Sequence, residues 1–218
     1  VTVLAWILAD RVALVCRRNP LVNPVLLAVV AIAATLRIGG VDYRTYFDGA
    51  QFVHFLLGPA TVSLAVPLWR ARSLVGRAIV PMLAALAVGS VVAVISAVGL
   101  ASLFGASPDV VASLAPKSVT APIAMAIAER TGGIPALTAA LVITTGILGA
   151  VVVTPMMNRL GIRDYAARGF AVGLASHGIG TARAFSVHPT AGVFAGIGMG
   201  LNAVVTPILV PLILQILH

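Results

Sequence analysis

The sequence predicts an all-α, polytopic helical membrane protein, and its composition and hydropathy pattern lead to that prediction. Of the 218 residues, 60% are hydrophobic and only 9% are charged, and the mean hydropathy is +1.10. A soluble domain carries about 25% charged residues. Disorder goes with low hydrophobicity, and the strands of outer-membrane barrels alternate apolar with polar residues. The long apolar runs of this chain therefore favour helices as the spanning elements.

The formal charge of +8 is explained by the positive-inside bias of membrane proteins. The basic residues stand singly or in small groups between apolar runs, so no nucleic-acid partner is expected. One cysteine, Cys16, excludes a disulfide framework or a cysteine metal site, and no metal-ligand spacing is present. Three basic clusters orient the chain: Arg17 and Arg18; Arg70, Arg72 and Arg77; Arg159, Arg163 and Arg168.

Apolar windows, nearly all of them free of charge, predict where the chain crosses the bilayer, since a spanning helix needs about 20 residues. The predicted spans are residues 3–15, 19–36, 49–69, 78–104, 134–158 and 191–217. Two further apolar pieces, 114–128 and 169–182, are too short or too rich in Gly, Pro, Ser and Thr to be simple spans. With the basic clusters inside, 114–128 would enter and leave from outside and 169–182 would dip in from inside. Whether both are re-entrant or cross fully stays open.

A weak internal repeat predicts two halves of opposite orientation within a single transmembrane domain over 1–218. Asn23-Pro24 opens one span, and Ile134-Pro135 opens another 111 residues later. The approximate halves are 20–104 and 131–218, linked by the broken segment 105–130. Inverted repeats with broken helices at matching positions are typical of secondary transporters. Chance similarity between apolar segments is the alternative.

The first concentration of polar groups lies in the third predicted span. Proline cannot donate a backbone hydrogen bond, so Gly58 and Pro59 are expected to break this helix and free carbonyl groups for a wet cavity. Gln51 and Thr61 flank the break as candidate substrate-binding residues, and Asn202 on the last span is another. A kinked packing helix is the alternative interpretation.

The second concentration includes the only lysine of the chain. Lys117 lies next to Ser118 and Thr120, and Pro116 and Pro122 are expected to break the helix on either side. A helix N-terminus with free N–H groups, two hydroxyls and an ammonium group would suit a carboxylate or another small anion. The alternative is that the lysine reaches the membrane interface and anchors the segment.

The third concentration surrounds a histidine in segment 169–182. Gly178 and Gly180 are expected to interrupt the helix, next to His177 and Thr181. His177 can change its charge near physiological pH, and Arg183 can hold a carboxylate through two parallel hydrogen bonds. Ionisable groups inside a membrane are costly and indicate function by default. The alternative places Arg183 at the interface and bonds His177 to a backbone carbonyl.

The chain resembles the LrgB/CidB family of bacterial membrane proteins over nearly its whole length from about residue 21. The resemblance rests on YFDGAQFVHFLLGPATVSLAVPLWR at 46–70, LAPKSVTAPIAMAIAERTGGIPALTAALVITTGILGA at 114–150 and RDYAARGFAVGLASHGIGTARAF at 163–185. Family members often carry an acid after the methionine of the second stretch, whereas Ala126 follows Met125 here. If that acid couples protons, His177 or Glu129 would have to replace it.

The resemblance implies a multi-pass protein of the bacterial inner membrane that is not an enzyme. It implies a carrier of small monocarboxylates such as pyruvate or glycolate, like the plastidial glycolate/glycerate transporters related to the family. The alternative is a holin/antiholin-like regulator of murein hydrolase export and autolysis. A small LrgA/CidA-type membrane protein is the expected partner, and self-association is left open. No cofactor is expected, and the coupling ion, a proton or sodium, is not determined.

Overall fold

The computed structural model describes residues 1–19, 22–63, 65–70 and 72–217, and all regular elements in these ranges are α-helices. The prediction of an all-α protein is therefore confirmed. The chain divides into two compact units, Val1–Arg70 and Ala71–His218. Each unit is described below by itself.

The described part of the first unit contains four helices. The side chain of Asn23 accepts hydrogen bonds from the backbone N–H groups of Val25 and Leu26, and Pro24 occupies the first turn of the second helix. These are common signals for a helix start. The same helix ends at Gly40, whose φ of 62° suits glycine. The four helices are α1 (Thr2–Val15), α2 (Pro24–Gly39), α3 (Tyr43–Ser63) and α4 (Ala65–Arg70).

The helix bounds in this unit differ from the predicted spans. The span predicted over 49–69 is replaced by α3, which begins at Tyr43, covers Gly58 and Pro59 without ending there, and stops at Ser63. A proline removes one N–H group but does not have to end an apolar helix. With 14 and 16 residues, α1 and α2 are shorter than the roughly 20 residues that a straight crossing needs.

The second unit contains the long apolar helices. Among the residues that the structure describes, three helical stretches are long and apolar enough to cross a membrane by length and composition: Ile79–Leu103, Pro135–Arg159 and Pro189–Ile216. They lie within two residues of the predicted spans 78–104, 134–158 and 191–217. The helices are α5 (Arg72–Arg77), α6 (Ile79–Leu103), α7 (Pro108–Leu114), α8 (Ala121–Arg130), α9 (Pro135–Arg159), α10 (Tyr165–Val187) and α11 (Pro189–Leu217).

Helix α10 is a hairpin of two helical arms. Ser176 and His177 have non-helical dihedral angles. The ring of His188, just after the helix, stacks on Tyr165 at its start with centroids 4.1 Å apart, whereas a straight helix would separate them by about 35 Å. A Cβ on Gly180 would lie 2.9 Å from the carbonyl oxygen of Val172. The first arm (165–175) and the second arm (178–187) therefore run antiparallel.

The chain also folds back after α7, and it returns to the end of that helix. The hydroxyl of Ser113, near the end of α7, accepts a hydrogen bond of 2.7 Å from the N–H of Ile134, just before α9. The hydroxyl of Thr138 donates to the carbonyl of Ser113 at 3.0 Å. The turn between these helices (residues 115–120) and α8 thus form an excursion that comes back to α7.

The two re-entrant segments open at opposite ends of α9. The α7–α8 segment is joined to the start of α9 through Ser113, whereas Arg168 in the first arm of α10 donates to Asn158 near the end of α9. A helix of 25 residues is about 37 Å long, which exceeds the hydrocarbon thickness of a bilayer. Both segments therefore fold back within this unit from opposite ends of α9, and we use the word re-entrant for this folding back.

Candidate functional site

The two re-entrant segments meet at one buried side chain in the middle of α11. Asn202, 2% exposed, donates through Nδ2 to the carbonyl oxygens of Ser118 at 3.3 Å and Leu174 at 3.1 Å. Its Oδ1 accepts from the hydroxyls of Ser90 and Thr206, each at 3.0 Å. We call these five residues the Asn202 junction. It joins α6, the 115–120 turn, the first arm of α10 and α11.

The junction binds backbone carbonyls that lie next to the helix breaks. Leu174 lies two residues before the break at Ser176, near the end of the first arm, and its carbonyl accepts from Asn202. An amide side chain has two N–H donors and two acceptor lone pairs, and Asn202 uses all of them within the protein. In this arrangement Asn202 holds the two segments together and has no capacity left for a substrate.

Lys117 lies in the 115–120 turn and directly precedes the junction residue Ser118. The helix predicted to start beside Lys117 starts at Ala121 instead, because it is Pro122 that occupies the first helical turn. The Lys117 side chain is half-buried, and its Nζ lies 3.5 Å from the hydroxyl of Ser118. Within the described ranges no carboxylate is in ion-pair distance of Lys117. The ammonium group therefore remains a candidate group for binding an anion.

The other polar residues of this turn are close to Lys117 in the chain. Pro116 is among the most deeply buried residues, and its carbonyl accepts from the N–H of Val119 at 3.1 Å. Thr120 occupies the N-cap position of α8, but its hydroxyl makes no capping hydrogen bond. The hydroxyl of Thr120 therefore remains a candidate group for binding a ligand.

His177 forms the tip of the α10 hairpin. It is 5% exposed and has a φ of 42°, a conformation that non-glycine residues rarely adopt. Its Nε2 donates to the carbonyl oxygen of Val142 in α9 at 2.9 Å, which matches the alternative interpretation of this residue. A Cβ on Gly146 would lie 2.8 Å from Nε2 of His177, so glycine is needed for this approach.

The glycines of α10 follow the break and do not form it. The chain leaves the helical conformation at Ser176 and His177, whereas Gly178 and Gly180 belong to the second arm. Gly180 permits the close approach of the two arms. Thr181, 4% exposed, donates through its hydroxyl to the carbonyl of His177 at 2.8 Å, which holds its side chain against its own arm.

Arg183 lies towards the open end of the hairpin, away from the tip. Its Nη2 is 3.4 Å from the hydroxyl of Thr154 in α9. It lines a small cavity of about 20 Å³ together with Arg168 and Tyr165, which belong to the start of α10. The structure therefore separates Arg183 from His177 and from the Asn202 junction.

Two of the predicted binding residues belong to the first unit. Gln51 is exposed in α3 and donates to the carboxylate of Asp48, one turn earlier, at 3.3 Å. Thr61 lies in the same helix, and its side chain is outside the described part of the structure, as is that of Pro59. The substrate-binding role of Gln51 and Thr61 therefore remains a prediction.

A cavity of about 750 Å³ lies between α6 and the first arm of α10. Arg77 and Asp164 line one end of it, and Gly89 and Leu174 line it deeper in the unit. Its walls are otherwise mostly apolar. Leu174 is the one junction residue that lines this cavity.

Several residues that build the site were not identified from the sequence. Ser90 is a single hydroxyl in an apolar span, and Thr206 lies one turn after Asn202, a spacing that places two side chains on one helix face. The four-residue spacing of Asn202 and Thr206 could therefore have indicated from the sequence that these two side chains lie together. The contributions of Leu174 and Val142 come from backbone carbonyls, which leave no trace in residue type.

Comparisons with known proteins agree on one family. The model of the LrgB-like family matches residues 2–216. The "Holin-like protein CidB" of Staphylococcus epidermidis is 31% identical over 200 residues, which cover 92% of this chain and 87% of that protein. An "Uncharacterized protein" of Haemophilus influenzae is 34% identical over 201 residues, with the same two coverages. No solved structure matches the chain.

These matches confirm the resemblance found in the sequence motifs. The family match extends over nearly the whole chain, and the name of the staphylococcal relative is that of a holin-like protein. The family match and the three long apolar helices together identify a membrane protein. The chain belongs to the LrgB-like family.

Proposed function

We propose that this chain is a holin-like protein of the bacterial inner membrane that regulates murein hydrolase export and autolysis. The observation that carries the proposal is the similarity to the holin-like CidB proteins of Staphylococcus epidermidis and Staphylococcus aureus, which covers 92% of the chain. The three long apolar helices are consistent with it. A small LrgA/CidA-type membrane protein is the partner that the family resemblance suggests.

The test of this proposal is expression in a bacterium that lacks its own family members. We expect the chain, with an LrgA/CidA-type protein, to change the amount of murein hydrolase in the medium and the rate of autolysis. Purified protein should also release a trapped dye from liposomes with little selectivity. Unchanged autolysis together with dye-tight liposomes would contradict the proposal.

A second candidate function is the carriage of small monocarboxylates such as pyruvate or glycolate. It is favoured by one specific observation: two re-entrant segments enter from opposite ends of α9 and meet at the Asn202 junction. Broken helices that meet near the bilayer midplane form the substrate sites of many secondary transporters. Lys117 and Thr120 in the 115–120 turn would then hold the carboxylate.

The carrier hypothesis predicts selective uptake into proteoliposomes. Radiolabelled pyruvate or glycolate should accumulate, and Lys117→Ala should abolish the uptake because it removes the half-buried cation. Lys117→Arg should retain part of it, since the charge remains. Arg163→Ala serves as the control, because Arg163 is exposed in the loop after α9. Uptake that is unaffected by Lys117→Ala would exclude this site.

The two candidates differ in what liposomes lose. A carrier moves its substrate while a larger trapped dye stays inside, whereas a holin-like protein releases both. Measuring uptake and dye release on the same liposomes therefore separates them.

A further inference from the structure

The Asn202 junction brings together five neutral oxygen atoms, one of which belongs to the amide group of Asn202 itself. Two are the backbone carbonyl oxygens of Ser118 and Leu174, and three are the side-chain oxygens of Ser90, Asn202 and Thr206. All three of these side chains belong to the long apolar helices α6 and α11. We propose that the junction is a binding site for a monovalent cation of the size of sodium.

The two carbonyl oxygens are the main part of the argument. They come from the two interrupted segments, close to the points where the helices break, and both approach Nδ2 of Asn202, at 3.3 and 3.1 Å. An NH₂ group carries partial positive charge and here occupies the place of a cation. Unwound backbone carbonyls in broken helices coordinate sodium in several transporter folds.

The geometry needs only a small change to accept the ion. Hard cations of this size class bind oxygen at about 2.3–2.6 Å, so the carbonyls would close in by roughly 0.5–1 Å. Rotation of the Asn202 side chain would withdraw Nδ2 and present Oδ1. The hydroxyls of Ser90 and Thr206, which now donate to Oδ1 at 3.0 Å, would turn their lone pairs to the ion.

The chemistry of the oxygen set selects the class of ion. The five oxygens include no carboxylate, so they offset the desolvation of a single charge better than that of Ca²⁺ or Mg²⁺. Within the described ranges no three His, Cys, Asp or Glu side chains converge, which leaves a transition metal without its usual ligands. The neutral oxygens thus suit an alkali cation.

The charge of Lys117 should weaken cation binding at the junction. It precedes Ser118 in the chain and is half-buried, so its ammonium group should repel a cation at the junction. Removing this charge should therefore tighten cation binding. A carboxylate bound to Lys117 would have the same effect, but the cation site can be tested without any carboxylate and does not depend on either proposed activity.

The experiment measures the thermal unfolding of the purified full chain in detergent. NaCl replaces choline chloride at constant ionic strength, because a ligand that binds only the folded state raises the melting temperature. We expect a saturable rise with Na⁺ and a weaker response to K⁺. Equal melting temperatures in Na⁺ and choline would overturn the proposal and would leave Asn202 as a structural link only.

Variants locate the site. Ser90→Ala and Thr206→Val each remove one oxygen and should raise the half-saturating Na⁺ concentration about tenfold, while Lys117→Met should lower it. The matched controls are Ser96→Ala in α6 and Thr144→Val in α9, whose hydroxyls bond only within their own helices. A Na⁺ response that is the same in both junction variants and the controls would place the ion elsewhere. Asn202→Ala is a supplementary variant. If it does not fold, Ser90→Ala and Thr206→Val decide whether the ion binds at the junction.

Discussion

The ring of Tyr165 lies flat against the ring of His188, with centroids 4.1 Å apart and planes inclined by 2°. Tyr165 begins a helical segment of 23 residues and His188 directly follows it, so their contact closes the segment into a hairpin. The N–H of Thr190 donates to Nδ1 of His188 at 3.1 Å, which fixes the ring at the start of α11. The chain thus leaves α10 at the same end at which it entered.

This hairpin predicts that both ends of α10 face the same side of the membrane. Ala167 near its start and Ser186 near its end are both exposed. Single cysteines at these positions, in a Cys16→Ser background, should react with a membrane-impermeant maleimide from one side only, and from the same side. The measurement is labelling of intact and of inverted vesicles.

A cysteine at Phe104 is the matched control for the labelling. Phe104 is exposed and follows α6, whose other end lies with Asp164 along the same cavity. About 37 Å of helix separates it from that end, so it should react from the opposite side. Labelling of Ala167→Cys and Ser186→Cys from opposite sides would mean that α10 crosses the membrane.

Gly146→Ala should destabilise the protein, because α9 and the tip of the hairpin are in direct contact at this glycine. A Cβ there would lie 2.7 Å from Cε1 of His177. Overpacking of this kind costs about 1–3 kcal/mol, and the melting temperature in detergent should fall accordingly. Gly99→Ala in α6 is the control, since its Cβ would meet open space.

A melting temperature of Gly146→Ala equal to that of Gly99→Ala would contradict this contact. At an exposed helix position, alanine makes the protein more stable than glycine does by about 0.5–1 kcal/mol. The control is therefore expected to be neutral or slightly stabilised, which makes the two directions distinguishable.

The sequence was sufficient to predict the long helices of the second unit. Uncharged windows located α6, α9 and α11 within two residues, because length and hydrophobicity are enough to specify a spanning helix. Clusters of Gly, Pro and polar residues also marked the two re-entrant segments. The sequence motifs also indicate the LrgB-like family, which the family match over residues 2–216 confirms.

The exact breaks and the junction were beyond prediction from the sequence. Glycine and proline mark where a helix can break, yet α3 continues through Gly58 and Pro59, and α10 breaks at Ser176 and His177. Tertiary contacts decide between such positions. The bond from Asn202 to the carbonyl of Leu174 joins residues 28 positions apart and involves a backbone atom. No property of a single residue indicates it.

Ser113→Ala should destabilise the closure of the α7–α8 segment. Ser113 is fully buried, donates to the carbonyl of Asp109 at 2.6 Å and accepts from the N–H of Ile134 at 2.7 Å. Alanine would leave that N–H without its partner, which costs about 1–3 kcal/mol. Thermal unfolding should show the loss. Ser96→Ala, at an exposed position of α6, should stay within about 0.5 kcal/mol, and equal stability of the two variants would contradict the closure.

At the tip of the hairpin, we expect glycine to be more stable than alanine, which reverses the usual order of these two residues in a helix. His177 has a φ of 42° and a ψ of −136°, a region that strains any residue with a Cβ by about 1–3 kcal/mol. Both His177→Ala and His177→Gly lose the hydrogen bond to Val142, but only glycine also relieves the strain.

His177→Gly should therefore unfold at a higher temperature than His177→Ala, although glycine at an ordinary helix position is less stable than alanine by about 0.5–1 kcal/mol. Ala175 supplies the reference, because it is exposed and helical in the first arm, two residues before His177. There Ala175→Gly should lower the melting temperature. The same order at both positions would mean that His177 is helical in the folded protein, and the hairpin would then need another turning point. Opposite orders would place the reversal of the chain at His177, since only a positive φ makes glycine the better residue.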